Sequence, residues 1–174
     1  SHTKFICVDE GGTVLGSITT MSGQLHAAIL SNTFVGKSVE RRESAEDAPE
    51  GYFDPAVVRS AAAWIYEVGL VRALMFPRFL DVLLNTKWYE RRLFFDALIA
   101  AEDMLAMKQM HMFAENPSNN YHLIGNEERC RLYGHLLRES DPRASIAAVT
   151  DVAAIDELSI RGILTIAAKG GIVR

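Results

Sequence analysis

The chain has 174 residues, of which 49% are hydrophobic and 23% charged, and its formal net charge is -4. These are values of a globular protein with one domain and a small extension, and they exclude global disorder. The acidic balance gives no general attraction for phosphates, so we expect neither nucleic acid nor a membrane as a partner. No apolar run reaches the roughly 20 residues that a spanning helix needs, and no signal peptide is visible, so we expect a cytoplasmic or nuclear protein.

The first third of the sequence predicts a β-hairpin, a helix and a loop. Residues 4–18 contain two apolar segments separated by the turn sequence DEGG, which is typical of a hairpin. A helix over residues 23–30 follows, with apolar side chains on one face. Residues 35–50 are charged and poor in large apolar side chains, so they predict a loop, and residues 51–53 predict a short strand.

The middle of the sequence predicts helices. Asp54-Pro55 is a strong helix start, because aspartate caps the first N–H groups and proline fits the first helical position. That helix is expected to end near Gly69. Residues 75–89 are apolar but interrupted by a proline. This pattern allows an extra helix or a strand, of which we predict the helix. Residues 94–113 predict two helices that meet at a tight break near Glu102–Asp103.

The last third of the sequence predicts a helical extension. Its composition makes Asn116–Asn120 a loop and a candidate domain boundary. Asn126 can cap a helix whose first turn contains two glutamates, where the helix dipole favours them. A second helix is predicted from Asp141-Pro142, and a third over Leu158–Lys169.

The sequence contains no pattern that specifies catalysis, a metal or a cofactor. Cys7 and Cys130 have no CxxC partner, so we expect two reduced thiols. Cys130 and His135 are too incomplete a set for zinc, and nothing nearby indicates an activated thiolate. Gly11-Gly12 is a hairpin turn and not a phosphate loop, since no Gly-Lys-Ser/Thr follows. We therefore expect no catalytic residue, no metal and no cofactor.

The methionine-rich segment after residue 100 is the candidate binding surface. Methionine adapts to irregular partners, although at helical spacing it also suits an ordinary core. The C-terminal helices have apolar faces that a free tail would not leave in water. They therefore pack on this segment, on each other, or on the helices of a partner. The predicted partner-binding residues are Met107, Met110, Met112, Phe113, Tyr133, Leu136 and Leu137.

The segment FFDALIAAEDMLAMKQMHMF, residues 94–113, resembles the helical hairpin that closes the BTB/POZ fold. The opening order of strand, turn, strand and a helix beginning Ser22-Gly23 is similar to elongin C. Glutamates in the first turn of the helix after Asn126 are similar to the S-phase kinase-associated adaptor of SCF ubiquitin ligases. The resemblance implies an α/β (α+β) fold in which helices flank a small sheet, with a BTB/POZ-like domain over residues 3–115 and a helical extension over residues 121–174.

The resemblance also implies a function without catalysis. A BTB/POZ-like adaptor would link a cullin-type ubiquitin ligase scaffold to a substrate receptor by packing helices into apolar grooves. The alternative within this fold is self-association, as a homo-oligomerisation module of a larger assembly. The alternative outside it is a small α/β enzyme that uses a histidine or a cysteine.

Overall fold

The computed structural model describes residues 2–111 and 119–172. The chain divides into two compact units, Ser1–Pro117 and Ser118–Arg174. Both contain helices and strands, so the prediction of a mixed α+β class is confirmed. Within the described ranges, each helix is too short or too polar to span a bilayer.

The first unit consists of a β-hairpin followed by helices. Strands β1 (Thr3–Val8) and β2 (Val14–Thr20) pair antiparallel, with Phe5 opposite Ile18, as the turn sequence predicts. The helices of this unit are α1 (Ser22–Asn32), α2 (Phe34–Val39), α3 (Pro55–Val68), α4 (Leu70–Ala73), α5 (Phe76–Val82) and α6 (Trp88–Gln109). The predicted strand over residues 51–53 is wrong, and the predicted loop over residues 35–50 begins only after α2.

Helix α3 shows how local signals set the ends of an element. The Asp54 carboxylate accepts a hydrogen bond from the Ala56 N–H at 2.8 Å, which satisfies one of the free donors of the first turn. Gly69 ends the helix with φ +78°, a conformation that side chains with a Cβ rarely adopt. Both ends agree with the prediction.

Helix α6 forms the centre of the first unit. It packs on α3, and its Phe95 and Ile99 form a buried cluster with Ile29 of α1 and Val39 of α2. It runs without interruption from residue 88 to residue 109, so the predicted break at Glu102–Asp103 is wrong. The segment contains no glycine or proline to interrupt the helix, and alanine and methionine favour its continuation.

The second unit is a strand–helix–strand unit followed by a helix. Strands β3 (Asn120–Ile124) and β4 (Ser145–Val149) pair in parallel, with α7 (Glu127–Ser140) as the connection and α8 (Val152–Lys169) after β4. The helix predicted from Asp141-Pro142 is wrong. The Asp141 carboxylate accepts from the Arg143 N–H at 3.0 Å in a turn, and Ile146 then pairs with Tyr121 in the sheet. The predicted extension is therefore not purely helical.

Candidate functional site

The structure places most of the predicted partner-binding residues in the interior. Met107 is buried on α6, whereas the Met110 side chain, just after that helix, is 63% exposed. In the second unit α7 buries three more of them, which are Tyr133, Leu136 and Leu137. Met112 and Phe113 lie outside the described residues. A role for this set in partner binding stays a prediction.

The carboxyl edge of the β3–β4 pair brings two helix starts together. Gly125 follows β3 directly, and its N–H donates to the Val149 carbonyl at the end of β4 at 3.1 Å. Asn126 caps α7 through its Oδ1, which accepts from the Arg129 N–H at 3.2 Å. Asp151 caps α8 in the same way, accepting from the Ala154 N–H at 2.9 Å. Parallel α/β sheets bind ligands at this edge.

The charge at this edge favours an uncharged, hydroxyl-bearing group over a phosphate. Glu127 and Glu128 lie exposed in the first turn of α7, and the carboxylate of Asp151 precedes α8. These carboxylates offset the positive end of each helix dipole and repel an anion. Carboxylates are, in contrast, good acceptors for ribose hydroxyls. We call the residues 124–126 and 149–151 the β-edge site.

A second polar site lies in the first unit, around the buried carboxylate of Asp81. Nη2 of Arg42 is 2.9 and 2.7 Å from the two Asp81 oxygens, and Nη2 of Arg91 is 3.3 Å from Oδ1. Arg91 is itself buried and donates from Nε to the Ser38 carbonyl at 2.5 Å. Burial lowers the pKa of Arg91, and the Asp81 carboxylate opposes that shift. This arginine cluster, Arg42, Arg78 and Arg91 around Asp81, joins the loop after α2 to α5 and α6.

His26 and Asp96 form a third polar contact, between α1 and α6. Nε2 of His26 is 2.6 Å from Oδ1 of Asp96, and the imidazole ring stacks on Phe95 with centroids 5.0 Å apart. Arg92 donates from Nε to both Asp96 oxygens at 3.2 and 3.1 Å. The pair is half-buried, and its geometry orients the imidazole. The sequence offered no sign of it, since the partners are 70 residues apart.

Burial is the main cause of a raised pKa at Tyr52, Glu102 and Cys130. Desolvation raises the pKa of Glu102, and the neighbouring Asp103 carboxylate adds to the shift. Burial also raises the pKa of Cys130, against the opposing effect of Arg129, so this thiol is protonated and a poor nucleophile. In the described part of the chain, no three His, Cys, Asp or Glu side chains are grouped as metal ligands.

A parallel strand–helix–strand unit with helix starts at its carboxyl edge is typical of α/β proteins that bind nucleotides. The sequence model of the 2-keto-3-deoxy-galactonokinase family matches residues 1–166. The chain therefore belongs to the 2-keto-3-deoxy-galactonokinase family. The comparison with curated proteins gives no significant match.

A solved structure shares the fold. It is the crystal structure of a protein from Sinorhizobium meliloti that is assigned as a 2-dehydro-3-deoxygalactonokinase. Its TM-score to this chain is 0.64, and the two sequences are 20% identical. The match covers 93% of this chain and 51% of the solved one, so this chain spans about half the length of that protein. At this identity the similarity is evidence for the fold alone.

Membership of this family shows that the predicted family and function are wrong. The resemblance to the BTB/POZ fold, elongin C and the SCF adaptor is wrong, and with it the adaptor in a ubiquitin ligase. The prediction that the protein is not an enzyme is also wrong, because the family is one of kinases. The resemblance depended on a helical hairpin at residues 94–113, and the structure has a single helix through residue 109.

The sequence predictions do not contain the β-edge site, because they do not contain its strands β3 and β4. The predicted helix cap at Asn126 is confirmed, but no element is predicted for the apolar run Tyr121–Ile124 before it. A short apolar run, then Gly125-Asn126, then a helix is the local signal of a strand leading into a ligand-facing turn. The second signal was the apolar run Ile146–Val149, followed by the cap Asp151.

Proposed function

We propose that the protein is an ATP-dependent kinase of a 2-keto-3-deoxy sugar acid, with 2-keto-3-deoxygalactonate as the substrate. The observation that carries the proposal is the family match over residues 1–166, which includes nearly the whole chain. The shared fold with the Sinorhizobium meliloti protein supports it.

The proposed reaction transfers one phosphoryl group. A hydroxyl oxygen of the sugar acid attacks the γ-phosphorus of ATP, and the bond from that phosphorus to the β–γ bridging oxygen breaks. ADP leaves, and the hydroxyl proton passes to a base. Such enzymes act mainly by positioning the two substrates and by stabilising charge on the transferred group.

The β-edge site supports a role in holding the nucleoside part of ATP. Gly125 lies between β3 and α7 with φ +151°, and a Cβ built there would meet no atom within 4 Å. The turn therefore has open space beside Gly125. The nearby Glu127, Glu128 and Asp151 suit ribose hydroxyls better than phosphates.

Replacing Gly125 with alanine should weaken nucleotide binding. The φ of this residue is strained for any side chain, so the turn between β3 and α7 must shift. We expect the KM for ATP to rise about tenfold, which corresponds to about 1.4 kcal/mol of binding energy, while the KM for the sugar acid stays within about twofold. The measurement is the rate of ADP formation that depends on the sugar acid, in the intact protein.

The matched control is Gly171→Ala, after α8. Gly171 has φ +70°, and a Cβ there also meets no atom within 4 Å, so the substitution strains the backbone without touching the β-edge site. It should leave the KM for ATP unchanged. Equal effects of the two variants would show that the β-edge site does not hold the nucleotide. If the wild-type protein forms no ADP with this sugar acid, the proposed function is refuted.

We propose a cytoplasmic location, because a kinase of a small metabolite needs a supply of ATP. Nothing supports the alternative prediction of a nuclear location. The sequence predicts a protein partner or self-association, and no contact with nucleic acid or a membrane. These partners stay predictions.

A further inference from the structure

The arginine cluster of the first unit has more positive charge than its carboxylate balances. Three guanidinium groups face Asp81, whose side chain is only 3% exposed. Among their other neighbours, Glu90 interacts with Arg91, and its carboxylate also accepts from the Lys87 N–H at 2.9 Å. Counted with Glu90, these groups comprise three positive and two negative charges.

The Asp81 carboxylate is satisfied by two of the three arginines. Arg42 and Arg91 occupy its oxygens at 2.7 to 3.3 Å, within or close to hydrogen-bond distance. Arg78 lies further away, with Nη1 at 3.8 Å from Oδ2, and it makes one long hydrogen bond, 3.3 Å, to the Ser38 hydroxyl. A guanidinium has five N–H donors, so among the residues that the structure describes most of those on Arg78 remain for another acceptor.

The two outer arginines are accessible to a ligand. The side chains of Arg42 and Arg78 are 59% and 39% exposed, whereas that of Arg91 is 4% exposed. Arg91 and Asp81 thus form the buried base of the cluster. Arg42 and Arg78 extend from it toward solvent, where paired N–H donors fit both oxygens of a planar carboxylate.

We propose that Arg78, with Arg42 beside it, binds the carboxylate of the sugar acid substrate. The inference rests on the proposed function, in which both substrates are anions. The carboxylate of a sugar acid is a planar anion with two acceptor oxygens, which the paired N–H donors of an exposed guanidinium fit well. Arg78 is then a specificity-determining residue, because it distinguishes the sugar acid from the corresponding neutral ketose.

The test compares the sugar acid with a neutral analogue that has a hydroxymethyl group in place of the carboxylate. Wild-type protein should prefer the acid in kcat/KM by about 10- to 100-fold, the size expected for charged hydrogen bonds. Arg78→Gln should raise the KM for the acid by a similar factor, leave the KM for ATP unchanged, and abolish the preference. Arg78→Lys retains the charge beside Asp81 but lacks the planar fork, so it should restore part of the preference.

The matched control is Arg41→Gln. Arg41 is the sequence neighbour of Arg42, but its Nη1 pairs with the exposed Asp47 at 2.7 Å. The control removes the same charge and should retain the wild-type preference. The inference is overturned, with the kinase assignment intact, if Arg78→Gln keeps the preference or if the wild type uses both compounds equally. A wild type that phosphorylates neither compound overturns both proposals.

Discussion

Asp81→Asn should reduce the free energy of unfolding by about 3 to 5 kcal/mol, the usual cost of removing one partner of a buried ion pair. The asparagine side chain has nearly the shape of aspartate, so little packing is lost. What changes is the charge: Arg91, 4% exposed, loses the carboxylate that compensates it inside the protein. Its remaining hydrogen bonds, to the carbonyls of Ser38 and Thr86, are to neutral groups.

Urea unfolding followed by circular dichroism measures this loss, with Asp47→Asn as the matched control. Asp47 also pairs with an arginine, but its side chain is 83% exposed. Exposed pairs contribute at most about 1 kcal/mol, so the control should unfold close to the wild-type midpoint. Similar midpoints for the two variants would show that the arginine cluster is not a buried structural element of the first unit.

Gly36→Ala should reduce the free energy of unfolding about as much as Asp81→Asn does, but for a steric reason. A Cβ at Gly36 would lie 2.5 Å from the Ile29 carbonyl oxygen and inside van der Waals contact with the Leu30 carbonyl. These atoms belong to the backbone of α1 and cannot rotate away, so α2 must move. We expect a loss of about 3 kcal/mol, at the upper end of the usual cost of overpacking.

Gly162→Ala is the control for that substitution. Gly162 lies in the interior of α8, and a Cβ there meets nothing within 4 Å. Alanine should therefore stabilise the helix, by up to about 1 kcal/mol. Thermal melts of the two variants should shift in opposite directions. A Gly36→Ala protein with a melting temperature equal to or above that of the wild type would refute the close packing of α1 and α2.

The elements that the sequence predicts well are specified by turn and capping residues at their own ends. The turn sequence DEGG, the Asp54-Pro55 start with Gly69 at the end, and the Asn126 cap identify β1–β2, α3 and α7. In each case one side chain or one glycine satisfies the local backbone, without help from distant residues. The same kind of signal misleads at Asp141-Pro142, where the aspartate closes a turn that leads into β4.

The sites depend on contacts that no local pattern contains. Asp81 meets Arg42 across 39 residues, and His26 meets Asp96 across 70. The β-edge site requires β3 and β4 to pair in parallel, a choice that short apolar runs do not specify. The family was missed for a related reason, since the motif used for it was apolar and apolar helices of many folds share such spacing.

The most direct test of the kinase assignment is the mass of the product. Intact protein is incubated with ATP, magnesium and 2-keto-3-deoxygalactonate, and the sugar acid is analysed by mass spectrometry. The assignment predicts that the sugar acid gains one phosphoryl group for each ADP released, and that no such product forms when ATP is omitted. Release of ADP with an unmodified sugar acid, or no reaction at all, would contradict it.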